Sequence, residues 1–196
     1  MRYPLAKAGV YWSIQGEGSL AGVPMAFVRL AGCSVGCPLC DTDYRVADRA
    51  TAADIADQVD CLRKHASVSW VWITGGEPTD HDLAPLLKAL RDRGFRVAVA
   101  TAGHRLMMVR PDFLSVSPHS PDSWRVVSGS ELKIVPGVNG HSIEAFRAKA
   151  EMSAFGARYV QPCEGKPETV RQCVEWVVQN PGWRLSIQAH KVAGLA

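Results

Sequence analysis

Short apolar runs rich in β-branched and aromatic residues alternate along this chain with longer segments that carry apolar residues at helical spacing. That alternation constrains the fold more than any other feature. Strands are expected at Met25–Leu30, Ser69–Ile73, Phe95–Ala100, Phe113–Val116, Leu132–Val135, Arg158–Val160 and Trp183–Ile187. Between them, Thr51 opens a helix with Asp54 three residues on as a partial capping box and Ile55, Val59 and Leu62 as its apolar stripe. Asp82–Arg93 is a second helix, closed by Gly94. His141–Phe155, ended by Gly156, and Pro167–Gln179, with proline in its first turn, are the others. Strands that alternate with helices give an α/β fold with a mostly parallel sheet and right-handed crossovers. A complete eight-unit barrel takes about 250 residues, so 196 residues fit an incomplete parallel βα barrel. No internal repeat or long linker divides the chain, which reads as a single domain over 1–196.

Ligands of parallel α/β sheets bind at the carboxyl ends of the strands. The polar and glycine-rich strings here follow strands: Gly32-Cys33, Thr74-Gly75-Gly76-Glu77-Pro78, Thr101-Ala102-Gly103, Ser117-Pro118-His119-Ser120, Gln161-Pro162-Cys163-Glu164 and Gln188-Ala189-His190-Lys191. They are expected to line one rim. The 22 basic and 19 acidic residues leave a net charge of only +3, too mild to argue for nucleic acid or an anionic membrane as partner. No apolar run approaches a membrane span, and Met1-Arg2-Tyr3-Pro4-Leu5 opens no secretory signal, so a reducing cytoplasm is the expected compartment.

Six cysteines then carry weight, because three fall within eight residues: Cys33, Cys37 and Cys40, spaced C-x3-C-x2-C. Three thiolates on one loop can converge on a metal centre. A structural zinc takes four ligands, and the nearest downstream histidine, His65, lies beyond the first predicted helix. A 4Fe–4S cluster held by three cysteines leaves one iron open for a small chelating molecule. Zinc and a thiol redox pair are the other readings of the spacing. Cys61 and Cys173 fall on predicted helices and read as packed thiols, and Trp70 and Trp72 as core residues of their strand.

C-x3-C-x2-C after the first strand, with Gly75-Gly76-Glu77-Pro78 after the second, resembles the radical S-adenosylmethionine superfamily. The resemblance implies that the open iron chelates S-adenosylmethionine and that a 5′-deoxyadenosyl radical abstracts hydrogen. The protein supplies orientation and exclusion of water. Gly75 and Gly76, lacking a Cβ, are expected to allow close backbone approach to the ligand. The string Ser13-Ile14-Gln15-Gly16-Glu17-Gly18, with Arg29, Cys40-Asp41-Thr42, Val160-Gln161-Pro162 and the terminal Gln188-Ala189-His190-Lys191, closely resembles the 7-carboxy-7-deazaguanine synthase family from Tyr11 to the last residue.

That family implies ring contraction of 6-carboxy-5,6,7,8-tetrahydropterin to 7-carboxy-7-deazaguanine with loss of ammonia, in the making of queuosine-type deazapurines. It also implies a homodimer, Mg²⁺, a shortened core and an electron donor of flavodoxin or ferredoxin type. Matched by motif, Ile14, Gln15, Gly16, Glu17, Arg29, Thr74, His190 and the carboxylate of Ala196 would face the pterin. Glu17 would accept the N–H donors of a guanine-like edge, and Arg29 would hold a ligand carboxylate through its planar fork. Gly76, Glu77, Ser117, Pro118, His119 and Gln161-Pro162-Cys163-Glu164 would hold S-adenosylmethionine, with Cys33, Cys37 and Cys40 on the cluster and Thr42 on Mg²⁺. His119 stands where lysine is common, which makes a fixed charge titratable. An activase that forms a glycyl radical on a partner protein would share the cluster motif but has no use for Ser-Ile-Gln-Gly-Glu-Gly.

Overall fold

The computed structural model describes residues 1–38, 40, 42–63 and 69–195. Asp41, His65 and Ala196, all named above, lie outside them. Among the described residues nine strands form one open sheet in the order β3-β1-β2-β4-β5-β6-β7-β8-β9. The parallel part runs from β2 (Pro24–Leu30) through β4 (Trp70–Gly75), β5 (Arg96–Thr101), β6 (Phe113–Val116), β7 (Ser128–Ile134) and β8 (Ala154–Val160) to β9 (Trp183–Leu185). The expected incomplete barrel is therefore present, and its two edges do not pair.

Two strands were not legible as such. β1 (Arg2–Ile14) pairs antiparallel with both β2 and the short β3 (Asp48–Thr51). Its register slips between Leu5 and Val10, where Gly9 takes φ +53°. A bulge of this kind breaks the period-2 pattern that a sequence reading depends on. The segment expected as one helix over His141–Phe155 also divides. A 3-10 turn covers Ile143–Phe146, helix α3 covers only Arg147–Glu151, and Phe155 and Gly156 belong to β8. Gly156 is thus no helix end. A Cβ there would lie 2.9 Å from the Ser130 carbonyl oxygen of β7, so glycine lets the two strands close.

The helices pack outside the sheet. α1 (Ala52–Leu62) begins with the full capping box, Thr51 and Asp54 each bonding the other's backbone N–H. It buries Ile55, Ala56 and Val59, while Leu62 is exposed. α2 (Ala84–Asp92) buries Leu86, Leu87 and Leu90 against Val71, Ile73, Val97 and Val99. Each such side chain contributes about 1.5–3 kcal/mol. α4 (Glu168–Gln179) buries Cys173, whose thiol is pushed up to about 12 by burial, as expected of a packed cysteine. Cys61 is instead exposed, on the solvent side of α1. No helix among the described residues is long and apolar enough to cross a membrane.

Candidate active site

Strand alternation separates two chemistries. Val28 and Leu30, Val71 and Ile73, Leu132 and Ile134 face the helices, while the residues between them face the hollow of the sheet. Met25, Phe27, Trp72 and Ala98 fill the lower part of the hollow, with Tyr11 stacked on Phe27 at 5.2 Å. Trp72 is a core residue as expected, and it also floors a cavity of about 620 Å³. Ligand cavities run to about 300–1,000 Å³.

The three cysteines open this cavity on the loop after β2. Ser34 anchors that loop: its N–H and Oγ donate to the Asp80 carboxylate at 2.7 Å each. Burial pushes the Cys37 thiol up to about 11, and the neighbouring Cys33 and Cys40 add to the effect. Cys37 Sγ also lies 2.6 Å from His119 Nδ1. His119 itself is shifted down, first by burial. Among the described residues no three His, Cys, Asp or Glu side chains are grouped to hold a single metal ion. Three soft sulfurs on one loop, two of which oppose the ionisation of Cys37, suit a cationic iron centre, since metal ligation requires thiolates. The donor set therefore fits a three-cysteine cluster.

The Gly-Gly-Glu-Pro turn after β4 packs against the start of the cysteine loop. A Cβ at Gly76 would lie 1.7 Å from the Gly32 carbonyl oxygen, and one at Gly75 would lie 2.0 Å from that of Leu30. Gly76 N–H donates to Leu30 O at 2.8 Å and Glu77 N–H to Gly32 O at 2.9 Å. Glycine thus permits a close approach between two protein backbones, and both glycines also line the cavity. Glu77 is 2% exposed, and its carboxylate accepts from Thr101 Oγ1 and Thr79 Oγ1 at 2.7 Å each, from Thr79 N–H and from Ala102 N–H. It ties the turn to the end of β5.

The Ser13–Gly18 string, which lies outside the set of strand-end loops, reaches the cavity from the other end of the sheet. It leaves β1 and turns back into β2 beside the amino ends of the parallel strands, Gln15 N–H donating to Val23 O and Gly22 N–H to Gln15 O. From there it crosses the open side of the sheet. Ser19 N–H donates to Glu131 on β7 at 2.7 Å, and Gly18 N–H to Ser186 Oγ at 3.1 Å. Ala189 N–H, opening α5 (Ala189–Val192), donates to Gly16 O at 2.9 Å. A Cβ at Gly16 would lie 1.9 Å from His190 Nδ1. The first and last motifs of the chain are thus one structure.

Glu17 takes Gln161 Nε2 at 3.1 Å and Gln188 Nε2 at 2.9 Å on Oε1, and Lys133 Nζ on Oε2. Burial acts to raise its pKa, but Lys133, Gln188 and Gln161 outweigh that and hold the carboxyl below its usual range. Lys133 was missed by sequence reasoning. Its signal was a lone cation between Leu132 and Ile134 in a predicted strand, which the period of two turns into the hollow.

Opposite, Arg29 on β2 is the register partner of Thr74 on β4, and both line the cavity. Arg29 Nη2 donates to Tyr11 OH at 2.9 Å, while its buried Nε has no partner in the protein. An orphaned guanidinium donor in a cavity wall suits a ligand carboxylate. Ile14, Thr42, Ser117, Pro162, Cys163, Glu164 and His190 complete the wall, with Glu164 paired to Lys191. Gln161 lines it too, but its amide is spent on Glu17 and on Ser186 Oγ. Pro118 is buried outside the lining.

Three thiols after the first parallel strand, braced by a Gly-Gly-Glu-Pro turn after the second, define a radical S-adenosylmethionine enzyme. Residues 28–124 match the Radical SAM superfamily model. Along almost its whole length the chain is similar to proteins named 7-carboxy-7-deazaguanine synthase. The one from Synechocystis is 32% identical over 98% of this chain and 93% of its own, and that from Bordetella pertussis 33% over 95% and 96%. The crystal structure of QueE from Escherichia coli superposes with a TM-score of 0.74 at 27% identity, covering 97% of this chain and 95% of that one. The chain belongs to the 7-carboxy-7-deazaguanine synthase family, and the activase reading finds no support among these relatives.

Proposed function

We propose that the chain converts 6-carboxy-5,6,7,8-tetrahydropterin to 7-carboxy-7-deazaguanine with loss of ammonia, the deazaguanine of queuosine-type bases. The observation that carries this reading is the meeting of the Ser13–Gly18 string and the Gln188–Lys191 segment across the cavity that the cysteines also line. A cluster-only electron carrier has no need of either.

The cluster, on Cys33, Cys37 and Cys40, and S-adenosylmethionine supply the radical chemistry when bound. The protein's own residues orient the pterin and keep water out. Arg29 takes the pterin carboxylate through the donors that the protein leaves open, Nε first. Glu17 accepts from the N–H groups of the pyrimidine edge at the opposite wall. Ile14, Gln15, Gly16, Thr74 and His190 form the remaining pterin contacts. Gly76, Ser117, His119 and the Gln161–Glu164 loop line the S-adenosylmethionine side, with Pro118 behind them. There Glu77, Gln161 and Pro118 act by shaping the backbone, since the first two have their side chains engaged and the third is buried. Thr42 serves Mg²⁺ with substrate oxygens and water, and the Ala196 carboxylate reaches the pterin. A flavodoxin- or ferredoxin-type donor reduces the cluster, and the enzyme works as a cytoplasmic homodimer built from one core over 1–196.

The test is anaerobic incubation of the reconstituted protein with carboxytetrahydropterin, S-adenosylmethionine and dithionite, reading the deazaguanine by mass. Cleavage of S-adenosylmethionine without that product would retain the radical class and reject the substrate.

A further inference from the structure

Lys133 has no part in the contacts assigned above, yet it is the most deeply placed ammonium of the cavity wall, with a side chain 12% exposed. Lysine is rarely buried to this degree unless it is paired. Its partner is the Glu17 carboxylate. The pair spans the open side of the sheet, because Glu17 belongs to the β1–β2 connection and Lys133 to the carboxyl end of β7. Gln161 and Gln188 grip the other carboxylate oxygen. A carboxylate oxygen accepts two hydrogen bonds, so Oε2 keeps one position after taking Lys133.

We propose that Lys133 is a positioning residue, which holds Glu17 charged and fixed at the cavity wall so that its carboxylate can receive the N–H edge of the substrate. The proposal rests on the reading of Glu17 as substrate-facing.

The surroundings single out Lys133. The charged or titratable groups facing the Glu17 segment are Lys133 and Glu131 from β7 and His190 from α5. Glu131 is spent on Ser19 N–H and on Ser115 Oγ at 2.8 Å, and it has the wrong sign to help. His190 packs on Gly16 rather than on the carboxylate. With Lys133 removed, only the amide N–H groups of Gln161 and Gln188 are left to oppose burial, which acts against the charged form of Glu17.

The experiment compares Lys133→Met, Lys133→Gln, Lys133→Arg, Glu17→Gln and the double variant Glu17→Gln/Lys133→Met in the reconstituted holoenzyme. It measures pterin affinity without reductant by quenching of tryptophan fluorescence, then KM, kcat and unproductive S-adenosylmethionine cleavage, with a melting curve for each variant. Lys133→Met and Lys133→Gln should weaken pterin binding about tenfold or more. Cleavage of S-adenosylmethionine should hold, and Lys133→Arg should recover most of the affinity. As pH drops from neutrality toward the ordinary carboxylate range, the affinity of Lys133→Met should fall more steeply than that of the parent. The double variant should bind no worse than Glu17→Gln alone.

Unchanged affinity in both Lys133 variants would overturn the proposal, as would losses that add in the double variant. Full affinity in Glu17→Gln would instead reject the substrate-facing reading of Glu17 and remove the ground for the proposal.

Discussion

Gly16 offers a sharp test of the junction between the first and last motifs. Replacing it with alanine adds one methyl group, which would lie 1.9 Å from His190 Nδ1, 2.6 Å from Cγ and 2.8 Å from Cβ. Ordinary contact begins at 3.4 Å, so the imidazole must retreat by about 1.5 Å, near the limit of what close-packed atoms tolerate. The clash reaches Cβ, so a change of rotamer does not relieve it and α5 must shift. The hydrogen bond from Ala189 N–H to Gly16 O is then stretched or lost, for about 1 kcal/mol. In a chain of this length that lowers Tm by only about 2–4 °C. The effect on turnover is larger, because a displacement of about 1 Å in a positioned group slows reaction roughly 100-fold. The assay is kcat/KM for deazaguanine formation under anaerobic conditions, with unproductive S-adenosylmethionine cleavage as the control. Cleavage should persist while product falls. Gly16→Ala/His190→Gly should be no slower than His190→Gly, since the clash is gone. Full activity of Gly16→Ala would refute the junction as described.

Other outcomes follow from neighbouring parts of the molecule. Cys37→Ala should prevent cluster assembly after anaerobic reconstitution, and an unchanged visible spectrum would refute the cluster assignment. Arg29→Ala should impair use of the carboxypterin far more than S-adenosylmethionine cleavage; equal losses would argue against its substrate role. Glu77→Ala strands the partners of a buried carboxylate, so melting should show a loss of about 3 kcal/mol or more. Iodoacetamide at mildly alkaline pH should modify Cys61 in the native protein and spare Cys173, whose thiol is held near 12 by burial; labelling mapped by peptide mass checks it.

The parallel strands were legible because their outward faces are apolar without interruption, as at Val71 and Ile73 or Val97 and Val99. β7 was read short at its start because Glu131 and its neighbours are polar, and that polarity is what the hollow requires. β1 was hidden by Pro4, by Lys7 and by the bulge at Gly9. The helix over His141–Phe155 was overextended because Phe155 fits a helical stripe equally well; its contact with Trp124 across the core decides for the strand. Motif reading found the cavity wall but assigned every polar side chain to a ligand. Glu77 and Gln161 have the right address, yet each is consumed by protein partners. Spacing in sequence carries little information on that, because apart from Thr79 the partners lie more than twenty positions away.

The open sheet explains why the synthase motifs sit at opposite ends of the chain. A closed barrel walls its interior with its own strands, whereas this one leaves β2 and β9 apart and must cover the gap with something else. A chain that enters by an antiparallel β1 delivers its β1–β2 connection to one side of the gap. A chain that leaves after β9 delivers its tail to the other. The two can then seal the hollow by bonding one another, through Gly16 O and Ala189 N–H and through Gly18 N–H and Ser186 Oγ. Glu17 lies between those contacts and lines the cavity, where the proposed function has it read what enters. Lengthening the tail should therefore disturb substrate recognition before it disturbs the fold, whose two larger apolar clusters lie on the other face of the strands.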